Sequence, residues 1–600
     1  MQSGLASRVT PRTAVIAIAL FTFAVWAALG YAASVPRFFQ DELYYMKAGV
    51  SVAQGRGLQF EGQGWGYGPV FPVLIAGIVK LTPSQESAYV LIKLANAAFF
   101  ALALAPIYLV ARRLLPPWPS VGVVALSAIV PSSMYVSVSM TESVGYFVAW
   151  WSILAILRVL EQPTVGRQVV ALTLLTVAIA TRPQFVALLA GYLVGLGLRI
   201  ALSPALRAAR SVLWPTALAV IAGLAWVARP VVEGHGVGPS LGSYSSLAQS
   251  YDPLQVAKWF VYHVGELALY VGIVPVIVAP VVLVLWWRRA RAGSEIDAAV
   301  LSLFVALNVV GVGLIAAFAS TSAGLGILYD RYLFYLVPLW LLVLVAWLCA
   351  GMPRPIRPLA IGTAAVFVVV GTLPFEVVSR QSWFQHFEAV ATATWGKVGL
   401  AVAHLPLLSV RGVALLLVAA VSIAVVAMPR RHAWFLPGIV AAALVANLAL
   451  GWRSAFVDAA IYGLDGAGRR SFVDARVGTG ADVTVFIAHA SCVEADQARR
   501  AALETDYFNR SVLRVVAANQ GEGRSVPSSV TVRPDGSLFT RSGHAIAAEY
   551  VVAPPGVVVR GRRLATGMSV GLGLWYVGGG RVRLANAHSE HDLYAIVCRG

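Results

Sequence analysis

The first long apolar run, residues 14–34, reads AVIAIALFTFAVWAALGYAAS and leads into Arg37-Phe38-Phe39-Gln40-Asp41-Glu42-Leu43-Tyr44-Tyr45. About 20 apolar residues are enough for a helix to cross a lipid bilayer. The adjacent carboxyl groups of Asp41 and Glu42 follow this run, where charge beside a low-dielectric region is costly. The stretch therefore predicts a membrane helix followed either by a binding or catalytic segment or by a solvated juxtamembrane helix cap.

The composition extends this interpretation to most of the chain. Its 600 residues are 59% hydrophobic and only 12% charged, with a mean hydropathy of +0.77. A soluble protein is about 25% charged, and the apolar runs of about 18–25 residues recur in the pattern of spanning helices. We predict a polytopic α-helical membrane domain over residues 1–452, with about 13 membrane helices.

The net charge of +18 raises the question of nucleic-acid binding. Most of the excess arginine lies in short segments between apolar runs, such as Arg112-Arg113, Arg288-Arg289 and Arg430-Arg431. Cytoplasmic loops of membrane proteins carry this positive bias. The pattern therefore favours membrane topology over a nucleic-acid surface, and it places the segment 35–85 and the C-terminus outside the cytoplasm.

The composition changes at about residue 453. Short Val-rich pieces at 483–487, 548–552 and 557–559 are separated by turn residues such as Pro534-Asp535-Gly536. This pattern predicts a soluble, β-rich extracytoplasmic domain over residues 453–600. A disulfide between Cys492 and Cys598 is compatible with that location, although two cysteines allow no stronger inference.

The topology brings polar residues that are distant in sequence to one face of the membrane. Asp41, Glu142, Arg182 and Arg331 all fall at outer ends of helices or in the first outer loop, residues 35–85. Polar residues gathered in one thin layer can line a cavity at the membrane surface. An aqueous acceptor and a lipid-borne donor can meet in such a cavity.

Several motifs in this layer resemble those of the GT-C glycosyltransferases. They are Phe39-x-Asp41-Glu42-x-x-Tyr45, Tyr67-Gly68-Pro69-x-x-Pro72, Thr141-Glu142, Thr181-Arg182-Pro183 and Asp330-Arg331-Tyr332. The chain looks most similar to the protein mannosyltransferase and aminoarabinose transferase branches, over about residues 14–345. The resemblance implies inverting transfer of a sugar from a polyprenyl-phosphate carrier to a glycan, lipid or protein acceptor at the outer face of the plasma membrane.

The resemblance also implies roles for the acidic residues. Asp41 would be the general base that deprotonates the acceptor hydroxyl, since partial desolvation can bring a carboxylate towards a useful pKa. Glu42 would orient the acceptor or the sugar, and its alternative is a solvated neighbour of Asp41. Glu142 matches a second acid that faces the first loop, or it is a carboxylate favoured by a helix N-terminus.

Basic and aromatic residues complete the predicted site. Arg182, Arg331 and Lys93 would bind the donor phosphate, with membrane-interface anchoring as the alternative for Arg182 and Lys93 and an ion pair with Asp330 for Arg331. Tyr45 and Tyr67 would stack on sugars, or they belong to an interfacial aromatic belt.

One position departs from the aminoarabinose branch, which has a basic residue immediately before the first loop proline. Here that residue is Gly68, so the phosphate site cannot be copied from that branch. No metal site is predicted, although some relatives use a divalent cation with the first-loop acids.

Two other classes of protein compete with the transferase hypothesis. A transporter or flippase for a lipid-linked sugar would show internal repeats and polar residues near the middle of the bilayer, and the acids here cluster at one face instead. A non-catalytic membrane protein whose C-terminal domain binds glycan is the other alternative.

Overall fold

A computed structural model gives the architecture of the chain. It describes residues 9–33, 36, 40–60, 63–203, 210–235, 249–321, 326–375, 389–402, 404, 409–453, 456, 470–488, 492–518, 528–567 and 571–598. Phe39 of the first motif lies outside these residues.

The described chain is almost wholly helical up to Trp452. In order the helices are α1 (Pro11–Ala32), α2 (Gln40–Ala53), α3 (Val70–Leu81), α4 (Gln85–Leu102), α5 (Leu104–Ala111), α6 (Pro117–Ala128), α7 (Glu142–Glu161), α8 (Val165–Thr181), α9 (Val186–Leu202), α10 (Trp214–Val232), α11 (Pro253–Tyr270), α12 (Val274–Arg291), α13 (Glu295–Ala319), α14 (Val337–Cys349), α15 (Ile356–Gly371), α16 (Val390–Val402), α17 (Val410–Ala427) and α18 (Phe435–Trp452). Short 3-10 turns lie at Pro131–Ser137, Pro183–Phe185, Asp330–Tyr332 and Phe334–Leu336.

The chain is a polytopic membrane protein. Among the residues described, 8 helices are long and apolar enough to cross a bilayer, or up to 10 if each of two bent pairs counts as one span. Four apolar helices are shorter. This count does not establish the predicted number of about 13 crossings.

The sequence predicts a hairpin around Thr181-Arg182-Pro183 because proline ends a helix readily, and the chain is broken there into α8 and α9. Helix α8 begins after Thr164, whose hydroxyl accepts a hydrogen bond from the backbone N–H of Arg167 at 3.3 Å. It ends at Thr181 because Pro183 has no N–H to continue the helix and disfavours helical backbone at the residue before it.

The apolar run 259–287 predicts a single membrane helix, and this prediction is wrong. Helices α11 and α12 are bent by 106° relative to each other. Gly272, at the bend, has a φ of +78°, and a Cβ there would lie 3.1 Å from the Cα of Val440. Glycine therefore fits this position for two reasons, the left-handed backbone and the close approach of α18.

The C-terminal region is a mixed α/β unit around a seven-stranded sheet in the order β6-β5-β4-β3-β7-β9-β8. After the two-residue strands β1 (Gln59–Phe60) and β2 (Gln63–Gly64) of the first loop, the strands are β3 (Val483–Ala488), β4 (Val512–Ala518), β5 (Ser528–Val532), β6 (Leu538–Thr540), β7 (Tyr550–Ala553), β8 (Arg562–Gly567) and β9 (Leu572–Tyr576). Helices α19 (Phe472–Val477), α20 (Val493–Phe508) and α21 (Glu590–Cys598) complete it.

Strand β3 is the central element of this sheet. It is parallel to β4 on one side and to β7 on the other, and all six of its residues are buried. Helix α20 supplies the crossover between β3 and β4, as parallel neighbours require. The β content of the region is therefore confirmed, but Val557–Val559 forms no strand and contributes only an isolated bridge between Val559 and Leu584.

The boundary near residue 453 stays a prediction. The helical part is described to Arg453 and the α/β part from Arg470, and of the residues between them only Phe456 is described.

We predict that removing the disulfide of Cys492 and Cys598 destabilises the C-terminal region. The bond joins residues 106 apart, from the start of α20 to the end of α21. Closing a loop of this length restricts the unfolded chain, so the double change to Ser should lower the free energy of unfolding by about 2–4 kcal/mol. Thermal unfolding measures this, with the free and exposed Cys349→Ser as control; equal Tm values for both proteins would contradict it.

Candidate active site

Helix α2 gives its two adjacent acids different surroundings. Successive residues of a helix point about 100° apart, so Asp41 and Glu42 cannot share a face. The side chain of Asp41 is 38% exposed, whereas Glu42 is fully buried. Tyr45 lies one turn after Asp41, on the same face as Asp41.

Four charged side chains form a continuous chain of ion pairs, which we call the charged cluster. Asp41 Oδ2 lies 2.8 Å from Arg331 Nη2, and Arg331 Nε lies 3.8 Å from Glu142 Oε1. Glu142 Oε1 in turn lies 2.7 Å from Arg182 Nη1. Glu142, Arg182 and Arg331 are buried, and Asp41 forms the exposed end. Two carboxylates and two guanidinium groups leave the cluster formally neutral.

The cluster is assembled from four separate elements. Asp41 belongs to the first turn of α2 and Glu142 to the first turn of α7, where a carboxylate is favoured by the helix dipole. Arg182 follows the end of α8, and Arg331 lies in the 3-10 turn Asp330–Tyr332. A Cβ on Gly145 would lie 2.8 Å from Cδ of Arg182, so glycine in α7 makes room for this arginine.

Tyr332 organises the basic half of the cluster, and the sequence did not single it out as a site residue. Its hydroxyl accepts a hydrogen bond from Arg331 Nη2 at 2.9 Å. The guanidinium groups of Arg331 and Arg182 lie 4.8 Å and 5.4 Å from the centre of its ring. An aromatic face attracts cations, so Tyr332 holds two like charges side by side. Its position next to Arg331 in the motif Asp330-Arg331-Tyr332 is the feature of the sequence that could have identified it.

Tyr45 adds a neutral hydrogen-bonding group next to the cluster. Burial raises the pKa of its phenol, and the carboxylate of Asp41 raises that pKa further. Tyr45 therefore stays protonated at neutral pH and can donate a hydrogen bond.

Tyr67 belongs to an aromatic group on the first loop. Its ring centre lies 5.3 Å from that of Trp65 and 6.3 Å from that of Tyr44, and the ring of Trp65 lies 5.7 Å from that of Tyr45. This packing fixes the loop beside α2 and continues the surface next to Tyr45.

Glu42 and Lys93 point into the packed interior between α2, α4 and the segment that precedes α7. Glu42 Oε1 accepts hydrogen bonds from the backbone N–H of Ser139 at 3.0 Å and from the Tyr89 hydroxyl at 3.2 Å. Lys93 Nζ donates to the carbonyl of Ala33 at 2.6 Å and lies 4.0 Å from the centre of the Tyr89 ring. The predicted roles of Glu42 in orienting a substrate and of Lys93 in binding the phosphate stay predictions.

The arginines form pairs that the sequence did not predict. Arg331, whose predicted alternative partner was Asp330, contacts Asp41. Asp330 Oδ2 accepts the backbone N–H of Val390 at 2.6 Å, at the start of α16. Within the described ranges, no three His, Cys, Asp or Glu side chains lie close enough together to hold a metal ion.

An apolar cavity of about 700 Å³ lies beside the charged cluster. Helices α8, α9, α10 and α13 supply its walls, with residues such as Leu175, Leu189 and Leu314. Pro183 and Tyr332 also line it, so the tyrosine whose ring contacts both Arg182 and Arg331 is part of the cavity wall. The molecule thus combines a lipid-compatible cavity, two buried cations and one partly exposed carboxylate.

Comparison with known proteins adds a distant likeness in shape. No protein-family model and no curated protein matches the chain. It aligns with the crystal structure of ArnT from Cupriavidus metallidurans bound to undecaprenyl phosphate, at 13% identity and a TM-score of 0.48 over 94% of this chain and 97% of that chain. The apo structure of the same protein gives 12% identity and a TM-score of 0.46 over 92% and 97%. At this level the likeness establishes neither a family nor a function.

We predict that Gly68→Ala disrupts the first loop. A Cβ at residue 68 would lie 2.4 Å from the carbonyl oxygen of Ala180 and 2.5 Å from that of Thr181. Backbone atoms cannot move aside cheaply, so the free energy of unfolding should fall by about 1–3 kcal/mol. Gly64→Ala, in the same loop with no atom within 4 Å of its Cβ, is the matched control. Equal thermal stability of the two variants would refute the explanation that residue 68 is glycine because no side chain fits beside these carbonyl oxygens.

Proposed function

We propose that the chain is an integral membrane glycosyltransferase that moves a sugar from a polyprenyl-phosphate donor to an acceptor hydroxyl. The observation that carries this proposal is the apolar cavity lined by Tyr332, whose ring contacts the buried Arg182 and Arg331, with Asp41 at the exposed end of the same charged cluster. The cavity suits a lipid chain, the arginines suit its phosphate, and Asp41 suits the role of general base. This order matches the order of lipid, phosphate and sugar in a polyprenyl-phosphate sugar.

In the proposed reaction Asp41 accepts the proton of the acceptor hydroxyl. The hydroxyl oxygen forms a bond to the anomeric carbon from the side opposite the phosphate. The bond between that carbon and the phosphate oxygen breaks, and polyprenyl phosphate leaves with the electron pair. This single displacement inverts the anomeric centre, and phosphate is a good enough leaving group to depart without a second catalytic acid.

The arginines stabilise the charge that develops on the leaving phosphate. Guanidinium groups bind phosphate through two parallel hydrogen bonds, and in a water-excluded site they act more strongly than in water. Glu142 keeps Arg182 in place at 2.7 Å. Tyr332 fixes the plane of Arg331 through its hydroxyl at 2.9 Å.

The ion pair between Asp41 and Arg331 suggests an order of binding. Without donor, Arg331 Nη2 lies 2.8 Å from Asp41 Oδ2 and occupies this carboxylate oxygen. A donor phosphate competes with Asp41 for Arg331, so binding of the donor frees the carboxylate oxygen to accept the proton of the acceptor. Proton removal from the acceptor then occurs only when the sugar is already in place.

We further propose that the site and the C-terminal domain, residues 453–600, face the extracytoplasmic side of the plasma membrane. The arginine-rich segments that would lie in the cytoplasm support this orientation. The acceptor is then a cell-envelope glycan, lipid or protein.

Asp41→Asn tests the catalytic assignment. Loss of the base should lower kcat for transfer from a polyprenyl-phosphate sugar by about 10²–10⁴-fold, while binding of polyprenyl phosphate is retained because the arginines remain. Glu233→Gln, which removes an exposed carboxylate, is the control and should leave kcat unchanged. Full activity of Asp41→Asn would refute the assignment, and lack of transfer by the wild type across a panel of donors would refute the function.

Gly223→Trp tests the lipid cavity. Gly223 lines the cavity, and a Cβ there meets no atom within 4 Å, so the indole can fill the space without unfolding α10. The KM for a long-chain donor should rise by at least about tenfold, whereas the KM for a donor with a short, water-soluble chain should change little. Gly197→Trp, which also has an open Cβ position but lies outside the cavity, is the control. An unchanged KM for the long-chain donor would place the lipid elsewhere.

A further inference from the structure

Helix α2 contacts the C-terminal region on the side opposite Asp41. At about 100° per residue, Asp41 and Tyr45 share one face of α2, and Lys47 points to the opposite face. That face packs against residues 506–512, which run from the end of α20 to the first residue of β4. We call this segment the α20–β4 junction. The C-terminal region therefore meets the segment that carries the proposed base.

A buried ion pair makes the first connection. Lys47 Nζ lies 2.6 Å from Asp506 Oδ1, and the two side chains are 7% and 0% exposed. The same nitrogen donates to the carbonyl oxygens of Val512 at 2.6 Å and of Asp506 at 3.3 Å. A charge buried this deeply requires a partner, so Lys47 and the junction depend on each other.

A hydrogen-bonded path through Ser139 makes the second connection. Glu42, the residue next to Asp41, accepts the backbone N–H of Ser139. The hydroxyl oxygens of Ser139 and Tyr507 lie 2.5 Å apart, and the ring of Tyr507 packs edge-on against that of Tyr89 at 5.5 Å. The carboxylate beside the proposed base is thus tied to the junction through one serine.

The end of α2 makes the third connection. The amide nitrogen of Gln54, Nε2, donates to the carbonyl oxygens of Thr479 and Arg510, both at 3.3 Å. The guanidinium of Arg510 in turn donates to the carbonyl of Thr82 at 3.1 Å and to Gln85 Oε1 at 3.3 Å, at the start of α4. The junction therefore holds α2 at three points along its length and is itself attached to α4.

We propose that Asp506 and Tyr507 are positioning residues of the transfer reaction, through which the C-terminal region sets the place of Asp41. This inference rests on the proposed function. Arg182 and Arg331 belong to other elements of the helical part, so donor binding does not depend on the junction. Turnover depends on the junction, because proton transfer requires the base to lie within hydrogen-bonding reach of the acceptor.

The test compares Tyr507→Phe and Asp506→Asn with two matched controls. Tyr507→Phe removes only the hydroxyl that contacts Ser139, and Asp506→Asn removes the charge opposite Lys47. The controls are Tyr576→Phe, an exposed tyrosine of the same region, and Asp496→Asn, an acid on α20 that is 41% exposed. We expect kcat to fall by at least about tenfold in both test variants, with polyprenyl phosphate bound at least as tightly as by the wild type and both controls at wild-type values.

A parallel loss of kcat and of polyprenyl-phosphate binding would indicate general unfolding and would overturn the positioning role. Unchanged kcat would overturn it as well. The variant Lys47→Met/Asp506→Leu, which removes both buried charges while it keeps the packing, should recover kcat relative to Asp506→Asn because no unpaired charge remains. Failure to recover would contradict the role of the ion pair.

Hydrogen exchange separates this inference from the proposed function. The amides of α2 should exchange at least about tenfold faster in Tyr507→Phe and Asp506→Asn than in the wild type, and at the wild-type rate in both controls. This readout needs no substrate. If the wild type transfers no sugar, the proposed function fails, and the exchange rates still decide whether the junction holds α2; unchanged exchange would overturn the inference.

Discussion

Burial of charge is the constraint on which the rest of the structure depends. Glu142, Arg182 and Arg331 lie inside a helical assembly made mostly of apolar side chains, where an unpaired charge would cost several kcal/mol. Each is tolerated because the others are present, so the four elements that supply the cluster must meet at one place. The glycine of α7 beside Arg182 and the aromatic ring beneath both guanidinium groups are local solutions to the same requirement.

The sequence predicted the members of this cluster better than their partners. Asp41, Glu142, Arg182 and Arg331 could be found because each is a charged residue at the end of an apolar run, and topology brings such ends to one face. The contact between Arg331 and Asp41 could not be predicted. From the sequence alone, a carboxylate next to Arg331 in the chain and one that is distant in the chain are equally good ion-pair partners. Likewise, nothing in the pair Asp41-Glu42 indicates which carboxylate turns towards Arg331.

The fold itself was predicted at the level of class and less well at its breaks. Apolar runs reveal spans, but the bend at Gly272 depends on a close approach of α18, and that contact lies far away in sequence. In the C-terminal region Val-rich pieces revealed strands, whereas the parallel order around β3 follows from the crossover helix α20. A piece such as 557–559 has strand composition yet has only one bridging partner, because pairing is decided by the surrounding sheet.

The cavity beside the cluster has a further consequence through its outer wall. Helix α10 supplies much of that wall, yet only 11% of its most apolar window is buried within the protein, so it is surrounded mainly by lipid. The proposed lipid-linked donor would reach this cavity sideways from the bilayer without crossing water. For the proposed donor, the quantity that governs saturation is therefore its mole fraction among the lipids, and diluting the bilayer with inert lipid slows the reaction even when the amount of donor per volume of solution stays constant.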